Sequence, residues 1–347
     1  MNVLVAGGAG FIGSAFVRLL VRERAAWKVL VFDKLTYAGN LRNLDEVRDA
    51  VACLRGDIAD AASVRQALQE HAIDTVVNFA AETHVDRSIM SGLEFIETDV
   101  LGTYVLLSEA RAAGIRRYLQ VSTDEVYGSI PEGAATEEAA PRPSNPYSAS
   151  KTGGDLQVLA AINTHNVPAM ITRGSNTYGP YHHPEKMIPL FLTNLLEGKK
   201  IPLYGDGKNR RDWLYVDDHA RGVLTVLERG RPGNVYNLGS AEEYENLTVA
   251  RMILDHFGLH DDWIEYVVDR PGHDRRYALD SQKARTLGWS PQVSLGEGLK
   301  RTVEWYRTRG DWWKPLKSGE YSEYYRKQYR ERQRSPASSA QAIGRSH

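Results

Sequence analysis

A short apolar run at residues 3–6 leads directly into Gly7-Gly8-Ala9-Gly10-Phe11-Ile12-Gly13 and then into a helical pattern over 13–24. Glycines spaced as at 7, 10 and 13 permit a tight turn after a strand and close approach of backbone to a pyrophosphate. The helix that follows aims its N-terminal N–H groups at the negative charge. Glycine spacing alone would also fit an ordinary strand-to-helix turn. Asp33 separates the two readings, because it ends the next strand candidate twenty residues past Gly13. A carboxylate there accepts from a ribose 2′-hydroxyl and repels a 2′-phosphate, which favours NAD over NADP. Asp57, at the end of the third strand candidate, falls where the adenine would lie.

Strand candidates at 3–6, 28–32, 52–55, 75–79, 118–122 and 169–173 alternate with helical stretches at 13–24, 63–71, 93–113 and 147–164. Each strand run is short and apolar on both faces, as a fully buried parallel strand should be. The alternation predicts right-handed βαβ units and an α/β fold built on a Rossmann-type doubly wound parallel sheet. Beyond Gly179-Pro180 the alternation loosens, and Pro, Gly, Tyr and charged residues become frequent. We assign 1–180 plus about 212–240, with a helix at 217–228 and a strand at 234–238, to an NAD-binding domain. About 181–211 and 241–325 then form a smaller C-terminal α/β substrate domain. The Arg/Gln/Ser-rich stretch 326–347 is expected to be a disordered tail.

Composition removes several functional classes. The 43 Lys+Arg and 44 Asp+Glu nearly cancel, which argues against a dedicated nucleic-acid binder. Cys53 stands alone, so neither an intramolecular disulfide nor a multi-thiolate metal site is available. The N-terminus lacks the basic segment of a secretory signal, and no apolar run approaches the roughly 20 residues of a membrane helix. A cytoplasmic protein without a membrane partner is the expectation. His182-His183 has no companion ligands at metal spacing, so no metal is expected and the pair is read as stacking on nucleotide or facing solvent. Trp305, Trp312 and Trp313 are read as packing rather than a nucleic-acid platform.

Tyr147 and Lys151 stand four apart in PYSASK, on one helix face. The ammonium is expected to stabilise phenolate and lower the tyrosine pKa, making Tyr147 a base for a hydroxyl proton as hydride leaves the same carbon. Tyr204 and Lys208 repeat the spacing, but across Gly205-Asp206-Gly207, a turn that gives them no common helix face. In STDEVYG, Thr123, Asp124 and Glu125 follow the fifth strand, at the end where doubly wound folds place ligands. Adjacent acids are commonly a cap or a solvated turn. In a semi-enclosed site they titrate apart, one as protonated donor and one as ionised acceptor. Such a site can oxidise, eliminate and reduce.

The segments GGAGFIG, AAETHVDRS, STDEVYG, YSASK, NTYGPYHHPEKMIP, RDWLYVDDHARG and DRPGHDRRY resemble the dTDP-glucose 4,6-dehydratases, within the extended short-chain dehydrogenase/reductase family. The resemblance runs from residue 1 to about 315. It implies that Tyr147 takes the C4 hydroxyl proton of a nucleotide-linked glucose while hydride passes to NAD. Glu125 removes the C5 proton, protonated Asp124 lets the C6 hydroxyl leave as water, and hydride returns to C6. Thr123 is implied to hydrogen-bond the C4 oxygen, and Lys151 completes the catalytic set. Cofactor contacts are implied at Gly7, Gly10, Phe11, Ile12, Gly13, Asp33, Lys34, Leu35, Thr36, Asp57, Ile58, Ala80, Ala81, Thr83, Thr98, Tyr147, Lys151 and Thr177.

Substrate contacts are implied at His84, Arg87, Thr123, Asn176, Lys186, Met187, Pro202, Leu203, Tyr204, Arg211, Asn246, Asp269, Arg270 and His273. His84 taken alone reads as a structural histidine, and the surrounding motif reverses that reading. Many members carry two asparagines where this chain has Asn176-Thr177, at the implied nicotinamide contact. The cations Lys186, Lys208, Arg210, Arg211, Arg270, Arg275 and Arg276 are expected to gather around the nucleotide diphosphate. A homodimer through the helices at 93–113 and 147–164, and a role in rhamnose or other deoxysugar biosynthesis, are further implications. Two alternatives remain open at this point: a 4,6-dehydratase for another nucleotide sugar such as UDP-glucose, and a noncatalytic NAD-binding sensor.

Overall fold

The computed structural model describes residues 1–318 and Tyr325. The tail expected at 326–347 lies outside the described residues. Seven strands form the main sheet: β1 (Asn2–Ala6), β2 (Lys28–Asp33), β3 (Ala52–Arg55), β4 (Thr75–Asn78), β5 (Arg117–Thr123), β6 (Ala169–Gly174) and β10 (Val235–Leu238). Their spatial order is β10-β6-β5-β4-β1-β2-β3, and every pairing is parallel. The order reverses at β1, which opens a crevice between the carboxyl ends of β1 and β4.

Alternation along the strands explains why these runs are apolar on both faces. Val3, Val5, Val29 and Val31 pack on one side of the sheet, against the helices Phe11–Glu23 and Val216–Arg229. Leu4, Ala6, Leu30 and Phe32 pack on the other, against Ala61–Glu70, Thr103–Ala112 and Pro146–His165. The strand β3 departs from this pattern: Ala52, Cys53 and Arg55 are exposed. Among the described residues it is the sheet edge, paired with β2 alone, so apolar sequence there does not mean burial.

Five further strands build two small sheets, β7 (Asn176–Tyr178), β8 (Ile201–Tyr204), β9 (Arg210–Tyr215), β11 (Glu243–Glu245) and β12 (Ile264–Val267). β9 lies between β11 and β7, and β12 pairs with β8. A separate apolar cluster fills this part, built from Ile188, Phe191, Trp213, Leu254, Leu299 and their neighbours. Trp312 and Trp313 are buried in it, with Trp305 tilted against Tyr181 and edge-on to Trp312, which bears out their reading as packing. Trp312 also donates to Asn43 across the structure at 2.9 Å, tying the C-terminal helix Gly310–Leu316 to the first half of the chain.

The helical stretch expected at 93–113 is interrupted. Leu93–Phe95 and Thr103–Ala112 are α-helical, and Ile96–Gly102 between them is a π-helical turn. Its backbone lies so close to the helix Pro146–His165 that a side chain at Gly154 would come within 2.7 Å of the Asp99 carbonyl oxygen. No described helix is long and apolar enough to cross a membrane.

Candidate active site

A cavity of about 380 Å³ lies at the carboxyl ends of β1, β4, β5 and β6 and reaches the smaller sheets. One end is shaped by glycine. Gly7 sits at φ +71°, and a Cβ there would lie 2.5 Å from Ala80 N. A Cβ at Gly13 would lie 2.2 Å from the Gly7 carbonyl oxygen. The turn therefore has no room for side chains, and the helix Phe11–Glu23 begins with no acid in its first turn. Asp33 closes the β2 end, accepting from Ala9 N at 2.9 Å and Leu35 N at 2.8 Å. Burial raises its pKa, and those two backbone bonds oppose the shift. Each oxygen keeps lone pairs for a ribose hydroxyl, so the residues present fit NAD. Gly13→Ala is expected to cost about 1–3 kcal/mol through overpacking and to weaken NAD retention. Thermal melts with and without added NAD check both effects.

The catalytic candidates converge at the β5 end. Thr123 caps the single turn Asp124–Tyr127, its hydroxyl accepting from Glu125 N at 3.3 Å and donating to Asp124 Oδ1 at 3.1 Å. Asp124 is 2% exposed and its Oδ2 has no partner among the described residues. Burial pushes its pKa well above the carboxylate range, with Glu125 and Asp212 adding to the shift. That shift favours the protonated acid over the carboxylate at Asp124. Glu125 Oε2 accepts from the Tyr277 hydroxyl at 3.3 Å, and that hydroxyl also faces Asp274 Oδ2 at 2.7 Å.

Tyr147 is set in the first turn of Pro146–His165 by a capping box between Asn145 and Ser148, with Ser88 accepting from its N–H at 3.2 Å. Lys151, one turn on, donates to Val121 O at 3.1 Å. Here the structure corrects the expectation for the tyrosine. Its pKa is raised well above 10, first by burial and then by Glu125 and Asp99, against a Thr123 hydrogen bond that lowers it. Spacing located the lysine but not the carboxyls that elements distant in sequence bring to the same hydroxyl.

Every other cofactor and substrate candidate borders the cavity except three. Leu35 supports the β2 turn through its N–H to Asp33. Arg87 pairs with Glu185 at 2.9 Å and covers the Tyr37 ring. Asp269 accepts from His273 Nδ1 at 2.6 Å, orienting a ring that does border the cavity. His84 is both cap and wall: Nδ1 accepts from Asp86 N and Nε2 meets Glu185 O. Thr177 Oγ1 lies 2.7 Å from His219 Nδ1 and donates to Ser175 O. Asn176 and Asn246 each keep a buried side-chain oxygen without a partner among the described residues.

The expected cationic cluster is smaller than composition suggested. Lys186, Arg211 and Arg270 line the cavity, whereas Lys208, Arg210, Arg275 and Arg276 do not. Arg275 pairs with Asp206, and Arg210 and Arg276 with Glu243, so these charges are engaged by acids outside the cavity. His182 stacks on Phe11 at 4.1 Å and His183 meets the Tyr37 ring edge-on, so the pair packs on protein rather than facing solvent. Among the described residues no group of His, Cys, Asp or Glu is arranged to hold a metal.

Residues not anticipated from sequence frame this wall. Asp86 receives Arg270 at 3.2 Å and the Tyr204 hydroxyl at 3.0 Å. Against the upward push of burial, Arg270 and His84 hold its pKa at about 2. Glu185 is likewise held at about 2 by His84, His183, Arg87 and Lys186 despite burial. Glu82 goes the other way, raised to about 7 by burial and by Asp99.

The family model described as GDP-mannose 4,6 dehydratase matches residues 4–302. A dTDP-glucose 4,6-dehydratase of Streptomyces niveus is 50% identical over 325 residues, covering 92% of this chain and 96% of the relative. A crystal structure of dTDP-glucose 4,6-dehydratase from Streptomyces venezuelae with NAD and TYD bound superposes with a TM-score of 0.89 at 49% identity, covering 91% of this chain and all of that one. The Bacillus anthracis dTDP-glucose 4,6-dehydratase in complex with NAD gives a TM-score of 0.86 at 44% identity, covering 91% of this chain and 99% of that one. With the glycine cradle, the Tyr147–Lys151 helix and the Asp124–Glu125 turn in one cavity, the chain belongs to the dTDP-glucose 4,6-dehydratase family.

Proposed function

We propose that this chain is an NAD-dependent hydro-lyase that converts dTDP-glucose to dTDP-4-keto-6-deoxyglucose. One observation supports it most strongly: a buried Asp124, its pKa pushed upward by burial, stands beside Glu125 in the same cavity as Tyr147 and Lys151. Oxidation at C4 needs only the tyrosine and lysine; loss of water needs an acid and a base as well. Bound NAD supplies the acceptor and donor of hydride. Tyr147 takes the C4 hydroxyl proton, with the Lys151 ammonium one helix turn away to offset the burial and carboxyls that raise its pKa. Glu125 takes the C5 proton, which the adjacent C4 ketone acidifies, and Asp124 protonates the departing C6 oxygen. Lys186, Arg270 and Arg211 supply positive charge for the diphosphate, and His84, Asn176, Tyr204, Asn246 and His273 hold the sugar and nucleoside.

The alternative nucleotide differs by one methyl group, which discriminates by about 1–3 kcal/mol, or roughly 10–200-fold. Incubation with dTDP-glucose and UDP-glucose, following the alkaline absorbance of the 4-keto product, is expected to give the higher kcat/KM with dTDP-glucose. A preference for UDP-glucose would reassign the substrate, and no product from either would overturn the dehydratase reading.

The remaining assignments are part of the same proposal. Residues 1–180 with about 212–240 carry the cofactor, and about 181–211 with 241–325 the nucleotide sugar. The enzyme acts in the cytoplasm as a homodimer. Leu93, Ile96, Leu101, Tyr104 and Leu156 are exposed along the two helical segments assigned to its interface. Replacing Leu93 and Ile96 together with Arg is expected to convert a dimer to monomer in sedimentation equilibrium.

A further inference from the structure

His219 is a buried group that the dehydratase chemistry leaves unused. It stands in RDWLYVDDHARG, near the start of the helix Val216–Arg229, and is 2% exposed. That helix start is anchored, because Asp218 accepts from Gln292 N at 2.9 Å and Val293 N at 2.8 Å. The His219 ring borders the cavity and fills the space over Gly174, where a Cβ would lie 2.4 Å from its Cε1 and 2.7 Å from its Nε2. Nδ1 is 2.7 Å from Thr177 Oγ1. Nε2 is buried and has no partner among the described residues.

The hydrogen bonds around Thr177 decide which ring nitrogen carries the proton. Its hydroxyl donates to Ser175 O at 3.1 Å, and a hydroxyl has one proton to give. The short contact to His219 is then a hydrogen bond only if Nδ1–H donates to Thr177 Oγ1. The opposite tautomer makes one of these two bonds and loses the other. Burial lowers the pKa of the ring to about 4, so at neutral pH it is uncharged. Nε2 is therefore a bare acceptor at the cavity wall, and a buried acceptor left unmet is destabilising. The fold indicates which donor meets it. Gly174 is the register partner of Thr123, so His219 stands at the reacting end of the cavity, four strands across the sheet from β2 and its Asp33. Its helix packs on the same sheet face as Phe11–Glu23, whose N-terminus faces the pyrophosphate site, whereas the helix of Tyr147 packs on the other. We propose that His219 is a cofactor-binding residue whose Nε2 accepts an N–H of the NAD carboxamide and thereby fixes which face of the nicotinamide is turned to the sugar. Thr177 sets the tautomer of that ring, and Gly174 leaves room for it.

Binding of three dinucleotide ligands to the full chain, freed of any retained cofactor, tests this contact. NAD carries the carboxamide. The 3-acetylpyridine analogue keeps the carbonyl but has a methyl group in place of the N–H donor, and ADP-ribose lacks the ring. Wild-type protein is expected to bind NAD more tightly than the acetylpyridine analogue. In His219→Phe the ratio of those two dissociation constants is expected to fall by roughly five- to tenfold, the effect of one hydrogen bond. ADP-ribose affinity should stay unchanged, which also shows that the variant folds. His219→Gln returns an acceptor oxygen near the place of Nε2 and is expected to keep most of the preference for NAD. An unchanged ratio in His219→Phe, as for a histidine that meets a sugar hydroxyl, would overturn the assignment. Equal losses for all three ligands, as for a merely structural histidine, would overturn it too.

A measurement on the wild-type protein does not depend on a variant's folding. Nitrogen-15 correlation spectra of the histidine rings are expected to show the Nδ1–H tautomer at His219. Its Nε2 resonance should move upfield when NAD binds and not when the acetylpyridine analogue binds. An Nε2–H tautomer, or the same movement with both ligands, would contradict the proposal. Neither readout involves turnover, so failure of the dehydratase reading, seen as no product from dTDP-glucose, is distinct from failure of this one.

Discussion

Glu125→Gln is expected to lower turnover by roughly 10²- to 10⁴-fold, the contribution of one positioned base. The loss should fall at C5 and nowhere earlier. Gln cannot take a proton, but Tyr147, Thr123 and Lys151 keep their places, and C4 oxidation depends on those three. The variant is therefore expected to accumulate enzyme-bound 4-keto-glucose nucleotide, which borodeuteride trapping after rapid quench detects. In D₂O the C5 hydrogen should fail to exchange. Normal C5 exchange in Glu125→Gln would move the base to another group. Because Glu125 also accepts from Tyr277 at 3.3 Å, an unchanged melting temperature confirms that the effect is chemical.

Tyr147→Phe should be as large, roughly 10²- to 10⁴-fold, but must block a different step. Without the phenol oxygen nothing takes the C4 hydroxyl proton, so no ketone forms. The C5 proton then lacks the neighbouring carbonyl that acidifies it. Neither trapped ketone nor C5 exchange is expected, in contrast to Glu125→Gln. C5 exchange in Tyr147→Phe would mean that elimination does not follow oxidation.

How much of this was legible in sequence depended on distance along the chain. The β1 turn and its helix are contiguous, and period-two alternation of Val and Leu gave the sheet both buried faces. The Thr123–Glu125 turn and the Tyr147–Lys151 helix turn are local as well. The contacts that sequence does not show are long-range. Glu185 meets His84 from 101 residues away, and Tyr277 reaches Glu125 across 152. No periodicity announces such pairs.

The same limit explains the corrections. Sequence alone reads Arg210, Arg275 and Arg276 as diphosphate ligands, but the fold places Asp206 and Glu243 beside them. β3 carries apolar residues yet lies at an edge, a fact that only strand order supplies. The raised pKa of Tyr147 comes from burial and from carboxyls on two other segments, which an i,i+4 spacing does not contain.

The central claim is that one active site oxidises C4, eliminates water across C5 and C6, and reduces C6. Substrate carrying deuterium at C4 tests it most directly, with no NAD added beyond what the protein retains. The expected product is 4-keto-6-deoxy nucleotide sugar with that deuterium in its C6 methyl group. Deuterium lost to solvent, or still at C4 in the recovered sugar, would contradict the account.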